Sequence, residues 1–357
     1  MTTPLPDLPT ESLQSSVART SRLDSLPDPA TLLPPAVVEA NKILISYHEA
    51  NIFASNPQGN CWFDTDVIVY CTETTCIFWQ NTDTPAPDHV KVLKFLLLLD
   101  EYVKLAAGIM NYDIATAPSF RQYTGSDGIE RKVVIELNDG LCQDYGGASY
   151  NGQLWAAVTK NSYQFSADTI DDVKPLMHQV FFYEAGRAVY DIVLDDILDW
   201  QMQNPSEWGY WTLGFNGAMT VLAPEHMGVE LEYYGQDTAA FRQDRLNDLA
   251  TYVNDSQYTF NNTWCSYLFP WNQNQSVNDM MSGLLIYLAD NYGGLEFLTR
   301  LFYRLKQQSP TPNKTDRKAR AKNLYRAARQ AAIDLNGILA GYQMTVYFKY
   351  TLRWTFV

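Results

Sequence analysis

Residues 171–203 have the sequence DDVKPLMHQVFFYEAGRAVYDIVLDDILDWQMQ. No proline interrupts this segment after Pro175, and its apolar residues recur at three- and four-residue spacing. That spacing is typical of an amphipathic helix, because residues three and four positions apart lie on the same face. We therefore predict one long helix that begins near Asp171.

One side of the predicted helix carries a polar stripe. At about 100° per residue, five polar residues share about one third of its circumference: Glu184, Arg187, Asp191, Asp195 and Asp199. The stripe either faces solvent, where Arg187 bridges acidic neighbours one turn away, or lines a cleft, where crowded carboxylates raise each other's pKa or recruit a divalent cation. The sequence leaves both interpretations open.

The segments before this helix favour a mixture of strands and helices. Residues 61–79 are rich in β-branched and aromatic residues around polar turn positions, which is typical of a hairpin. Residues 88–110 have helical spacing, as do residues 37–50. Residues 131–137 indicate a strand, and the glycine-broken segment 144–152 indicates a sheet edge.

The segments after residue 203 are mainly helical, separated by loops rich in Asn, Gly and Pro. Helices are predicted at 238–254, 276–291, 294–307 and 314–335. The first 35 residues are rich in proline and offer little apolar surface to offset the entropy of ordering. We predict an α+β protein with three parts: a disordered tail at 1–35, an α/β N-terminal lobe at 36–170 and a mainly helical lobe at 171–357.

The composition of the chain limits which binding partners and which cellular compartment we expect. The net charge of −14 opposes binding to phosphate backbones and anionic membranes, so we expect neither a nucleic-acid nor a membrane partner. The chain has five cysteines without a C-x-x-C pair, which favours a reducing compartment over a disulfide framework. With no apolar leader or long apolar run, the sequence predicts a soluble cytoplasmic protein.

The order of five segments resembles that of the zincin-like metallopeptidases of the gluzincin type. Residues 99–108 resemble the early helix of that fold, and residues 144–152 resemble its glycine-containing edge. Residues 181–190 stand where the helix with the H-E-x-x-H motif belongs. The later matches are residues 211–217, which resemble the segment with the third metal ligand, and residues 323–354, which end near a tryptophan. The resemblance covers residues 90–357 and implies an N-terminal twisted sheet, an active-site helix and a helical C-terminal lobe.

The motif that carries the resemblance is degenerate. Zinc chemistry of this type needs two imidazoles one helical turn apart with a carboxylate beside the first. Here Tyr183 and Arg187 occupy the two histidine positions, Glu184 retains the general-base position and Leu213 occupies the third-ligand position. An arginine cannot ligate a cation, and we expect its guanidinium to fill the site and pair with Glu184. The resemblance therefore implies that zinc-dependent hydrolysis is lost and that no metal or other cofactor is required.

The histidines of the chain do not rebuild a metal site by local spacing, so we expect each to be structural: His48, His89, His178 and His226. The leading expectation is a diverged zincin-like protein, a pseudoenzyme or a catalyst of new chemistry, with a small-molecule or peptide ligand in the cleft. In a catalytic version Glu184 is a general acid or base, Tyr183 is a proton donor and Arg187 orients an anionic group. A non-catalytic interaction module is a further alternative.

A different class of function competes with this one. Residues 195–199 match the D-D-x-x-D motif of class I terpene synthases, and residues 247–255 match their second metal-binding motif. In that alternative a Mg²⁺-dependent diphosphate lyase uses Asp195, Asp196, Asp199, Asn247, Thr251 and Asp255. The two motifs lie closer together in the sequence than they do in that family. The predicted strands also have no counterpart in its all-helical fold.

Overall fold

The computed structural model describes residues 42–45, 65–72, 75–81, 87–118, 122–137, 147–149, 154, 156–196, 210–233, 235–265, 277–308 and 316–357. The predicted tail at 1–35 lies outside these residues. The fold is α+β, as predicted.

The strands of the described residues are β1 (Lys42–Ile45), β2 (Val67–Cys71), β3 (Thr75–Gln80), β4 (Gln122–Thr124), β5 (Glu130–Leu137), β6 (Gly147–Ser149), β7 (Ala156–Val158), β8 (Leu176–His178) and β9 (Glu230–Glu232). The α-helices are α1 (His89–Ile109), α2 (Lys160–Ala167), α3 (Val180–Asp196), α4 (Tyr210–Met227), α5 (Thr238–Asn254), α6 (Val277–Tyr292), α7 (Leu295–Lys306), α8 (Arg317–Asn336) and α9 (Ile338–Val346). A 3₁₀ turn lies at Ile114–Thr116, and π-helical turns lie at Phe260–Trp264 and Tyr347–Thr351.

Seven of these strands form one mixed sheet in the order β1-β2-β3-β5-β7-β6, with β4 paired to β5. The predicted hairpin is confirmed, because β2 and β3 pair antiparallel. Strands β3, β5 and β7 run parallel, and α1 lies in the crossover between β3 and β5. Residues 147–149, within the segment predicted as a glycine-containing edge, form β6, which pairs antiparallel with β7 at the end of the order of the described strands. The other residues of the segment 144–152 lie outside the described residues.

Two predictions of local structure are wrong, for the same physical reason. The predicted helix at 37–50 contains strand β1, which pairs with β2. The helix predicted to begin near Asp171 begins at Val180, because residues 176–178 pair instead with β9 as a parallel two-stranded sheet. Both segments meet partners distant in sequence, and the hydrogen bonds of such pairing outweigh the local helical spacing.

A continuous core joins the sheet to the helices. Helix α1 buries its apolar face on the sheet, and the same cluster of buried side chains extends from Ile68 on β2 to Trp354 near the C-terminus. Both predicted lobes therefore contribute to one core. Helix α3 lies inside this core and packs against α1, α4, β6 and β7.

A buried carboxylate fixes α1 to the β2–β3 turn. Asp100 is 4% exposed and accepts hydrogen bonds from the hydroxyl groups of Thr75 at 2.6 Å and Thr72 at 3.4 Å. The Lys104 ammonium lies 2.6 Å from its second oxygen. A buried charge is tolerated only when it is paired and hydrogen-bonded, so this carboxylate specifies where the turn docks on α1.

Helix α3 lies very close to two neighbouring helices at Gly186. A β-carbon at this position would clash with the Tyr102 hydroxyl of α1 and would lie 2.9 Å from Asn216 Oδ1 of α4. Both approaches are tighter than ordinary van der Waals contact. The absence of a side chain at Gly186 therefore allows α1 and α4 to bring polar groups onto the surface of α3.

We expect Gly186→Ala to lower the free energy of unfolding by about 1–3 kcal/mol, because the added methyl group overpacks this crossing. Gly108→Ala on α1 is the matched control, since a β-carbon there meets no atom within 4 Å. The control should leave stability unchanged or raise it by up to about 1 kcal/mol. Denaturant unfolding measures the free energy of unfolding of both variants. Equal values for the two variants would contradict the close approach of the helices at Gly186.

Candidate functional site

The three residues predicted to carry the chemistry lie together on α3, and we call Tyr183, Glu184 and Arg187 the α3 site. Tyr183 and Arg187 are one helical turn apart and half-buried, whereas every other described side chain between positions 180 and 193 is buried. Glu184, beside Tyr183, is only 6% exposed. This end of the polar stripe is therefore not a solvent-facing surface.

Two buried side chains from neighbouring helices hold the backbone of the α3 site. The Tyr102 hydroxyl of α1 donates to the Phe182 carbonyl at 2.8 Å. The side-chain amide of Asn216, which is fully buried on α4, donates to the Tyr183 carbonyl at 2.9 Å. Each bond joins α3 to a different helix, so the rotation of α3 about its axis is fixed at the turn that carries the site.

The two tyrosines nearest this crossing keep their protons. Burial raises the pKa of Tyr102 and of Tyr190 well above the usual value for a phenol. A phenol with a raised pKa stays neutral over the physiological range and remains a hydrogen-bond donor. The contact with α3 therefore does not change with pH near neutrality.

The sheet edge borders α3 on another side. Helix α3 packs directly on β6 and β7, and β6 is the last strand in the order of the described strands. Leu213, the residue at the predicted third-ligand position, is 9% exposed on α4, one turn before Asn216. The predicted α3 residues and the Leu213 turn of α4 therefore belong to one packed unit that also contains the sheet edge.

The residues of the α3 site do not fit a zinc ion. A guanidinium has no lone pair to offer a cation, and Arg187 stands one turn from the phenol of Tyr183, where the zinc motif needs a second imidazole. In the described part of the chain, no cluster of three or more His, Cys, Asp or Glu side chains could hold a metal. No step of a reaction is therefore assigned to a metal at the α3 site.

The structure describes only some of the residues that the Mg²⁺-dependent alternative would use. Asn247, Thr251 and Asp255 follow one another along α5 and its C-terminal end, where they line a shallow depression of about 680 Å³. The Thr251 hydroxyl donates to the Asn247 carbonyl at 2.9 Å, and Asp255 accepts the Gln257 amide at 2.9 Å. These bonds are those of a helix and its capping turn.

The structure describes the first motif only in part. Asp191, Asp195 and Asp196 belong to α3, but their side chains lie outside the described residues, as does the whole of Asp199. Helix α3 packs on α1 and α4, whereas α5 packs mainly on α6. A shared Mg²⁺ site on α3 and α5 stays a prediction.

A groove that sequence reasoning missed lies between α1 and α7, with a volume of about 870 Å³. It is lined by Glu101, Lys104, Leu105, Gly108, Ile109, Asn111, His226, Leu295, Glu296, Thr299, Arg300 and Tyr303. Its walls contain two acidic side chains, Glu101 and Glu296, and two basic ones, Lys104 and Arg300, so the groove favours neither sign of charge. No sequence motif marks it, because its walls come from helices far apart in the chain, and it does not include the α3 site.

Comparisons with known proteins give no relative for this chain. No protein-family model matches it, and neither a curated protein nor a solved structure matches it. Within the described residues, every helix is too short or too polar to cross a membrane.

The segment that leads into α3 contains a partly buried histidine. The Nδ1 atom of His178 accepts the Val180 amide at 3.3 Å at the start of α3, and its Nε2 lies 3.9 Å from a carboxylate oxygen of Glu232. The ring also contacts Phe165 edge-on at 6.3 Å. Burial lowers the pKa of His178 below its usual value, and Glu232 opposes part of that shift. The neutral imidazole is therefore the form of His178 that accepts the Val180 amide at the start of α3.

We expect His178 to make the protein less stable at acid pH. The unfolded chain takes up a proton below about pH 6.5, whereas the folded chain resists it, so this contribution is complete above that value and is lost as the pH falls. The fall in melting temperature from about pH 7.5 to about pH 5 should be smaller in His178→Asn, whose side-chain oxygen can still accept the Val180 amide. His226→Asn, at an exposed position on α4, shows what replacing a different histidine does to the pH dependence. An unchanged pH dependence in His178→Asn would contradict the assignment.

Proposed function

We propose that this chain is a diverged relative of the zincin-like metallopeptidases whose cleft binds a peptide without zinc-dependent hydrolysis. The observation that carries the proposal is the exposure pattern of α3. On a helix that is otherwise buried over its described side chains, the two half-buried positions are Tyr183 and Arg187, one turn apart, with Glu184 beside the first. These positions correspond to the two histidines and the glutamate of the zincin motif.

The place of α3 in the fold also supports this proposal. It packs against the end of the mixed sheet, where β6, the last of the described strands, runs antiparallel to its neighbour β7. An edge strand can pair with an extended peptide through main-chain hydrogen bonds, and side chains beside the edge then select the peptide. A peptide that lies along β6 would pass the helix that carries Tyr183 and Arg187.

The side chains of the α3 site favour a particular class of ligand. Arg187 can bind a carboxylate through two parallel N–H···O bonds, and the Tyr183 hydroxyl can donate to a carbonyl. Glu184 is buried three positions before Arg187 on the same helix, so its carboxylate can offset the positive charge of the guanidinium. Together they favour a peptide with a free terminal carboxylate or an acidic side chain.

The first test measures zinc and hydrolysis in the purified full-length protein. After equilibration with zinc and dialysis, elemental analysis should find far less than one zinc per chain, and chelators should change no peptidase activity. One zinc per chain that disappears in Glu184→Gln or Tyr183→Phe would overturn the proposal, because it would place an intact metal centre at these residues.

The second test compares short peptides that carry a free C-terminal carboxylate with the same peptides amidated at that end. We expect calorimetry to detect binding of the free acids, and we expect Arg187→Gln to weaken it by about tenfold or more through loss of a charge-assisted pair. Arg242→Gln on α5 is the matched control, since its guanidinium pairs with Glu225 and Asp290 away from α3. Equal affinity for acids and amides, or an equal loss in the control, would contradict carboxylate recognition by Arg187.

A further inference from the structure

A pair of cysteines faces each other across the β2–β3 hairpin. Cys71 and Cys76 are direct partners in the antiparallel register. The next pair toward the turn is hydrogen-bonded, because the Thr72 amide donates to the Thr75 carbonyl at 2.8 Å. Hydrogen-bonded and non-hydrogen-bonded pairs alternate along an antiparallel ladder, so Cys71 and Cys76 occupy a non-hydrogen-bonded pair.

This kind of pair has the spacing that a disulfide needs. The α-carbons of a non-hydrogen-bonded pair lie about 4.5 Å apart and their side chains are close. Disulfides span about 4.4–6.8 Å between α-carbons, so the bond can form here without separating the strands. Both cysteines are in the reduced thiol form in the structure.

The two thiols lie on the sheet face opposite α1. They belong to a small buried cluster with Val67, Val69 and Phe78. Cys71 is 5% exposed and Cys76 is fully buried. A small oxidant therefore reaches Cys71 more easily than it reaches Cys76.

A guanidinium lies beside this thiol pair. Arg131 is held by the Thr72 carbonyl at 2.7 Å and by a bidentate pair with Asp127. The hydrogen bond with Cys76 is the largest of the effects that lower the pKa of Cys71, burial opposes it, and the charge of Arg131 lowers it further. A thiol with a lowered pKa has more of the thiolate that reacts with oxidants.

We propose that Cys71 and Cys76 form a redox modification site at which a peroxide creates a reversible cross-strand disulfide. The Cys71 thiolate attacks one oxygen of hydrogen peroxide and becomes a sulfenic acid, and the O–O bond breaks to release hydroxide. The sulfur of Cys76 then attacks the sulfur of Cys71, the S–O bond breaks, and water leaves. Two thiols and one peroxide give one disulfide and two waters, with two electrons passing from the thiols to the peroxide.

The test treats the folded full-length protein with hydrogen peroxide and then alkylates the remaining thiols after denaturation. A glutamate-specific protease cuts after Glu73, between the two cysteines, so a disulfide keeps the resulting peptides joined in a mass spectrum. We expect the joined peptides after peroxide and separate peptides after a reductant. Alkylation of both cysteines, or a bond from Cys71 to Cys61 or Cys142, would overturn the proposal.

Variants separate the two steps. In Cys76→Ser the sulfenic acid at Cys71 has no partner, so we expect dimedone to trap it at Cys71, whereas the wild type should give little adduct there. Cys265→Ser, which changes a half-buried thiol elsewhere in the chain, should form the Cys71–Cys76 bond as the wild type does. Equal dimedone labelling of Cys71 in the wild type and in Cys76→Ser would show that Cys76 does not resolve the sulfenic acid, and would overturn the proposal.

Discussion

The close approach of three helices at Gly186 is the constraint on which the rest of the structure depends. A helix without a side chain at this point allows a phenol from α1 and an amide from α4 to reach its backbone. Because Tyr102 donates to the Phe182 carbonyl and Asn216 donates to the Tyr183 carbonyl, α3 is held in one rotation. Buried donors and acceptors are costly unless they are paired, so these bonds also exclude other rotations of α3.

That fixed rotation decides which α3 side chains reach the surface. With Phe182 and its apolar neighbours turned into the core, Tyr183 and Arg187 stay half-buried one turn apart, and Glu184 is buried. Two half-buried residues one turn apart are well placed to bind a ligand, because a rigid helix holds both side chains. The redox pair at Cys71 and Cys76 lies on the other face of the sheet and is independent of this site.

The sequence predicts the elements whose signals are local, and it fails where distant partners decide. The helices at 88–110 and 238–254 are confirmed nearly residue for residue, since Asp88 and Asp237 cap their first turns and their apolar spacing continues without a break. The start of α3 is predicted too early because residues 176–178 pair with a strand more than fifty positions away. The polar stripe is recognised, but the burial of Glu184 depends on α1 and α4, which local spacing cannot reveal.

The central claim is that positions 183 and 187 of α3 and position 213 of α4 converge on one point. It is tested most directly by rebuilding the ligands: Tyr183→His/Arg187→His, with and without Leu213→Glu. If the three positions converge, adding the Leu213→Glu change to the double variant should tighten zinc binding at least about tenfold, because a third ligand completes the site. The control is Gln243→His/Asn247→His, an exposed pair one turn apart on α5. It gives the zinc affinity of two histidines without a third ligand. Zinc affinity in the triple variant no higher than in the double variant or this control would contradict the account.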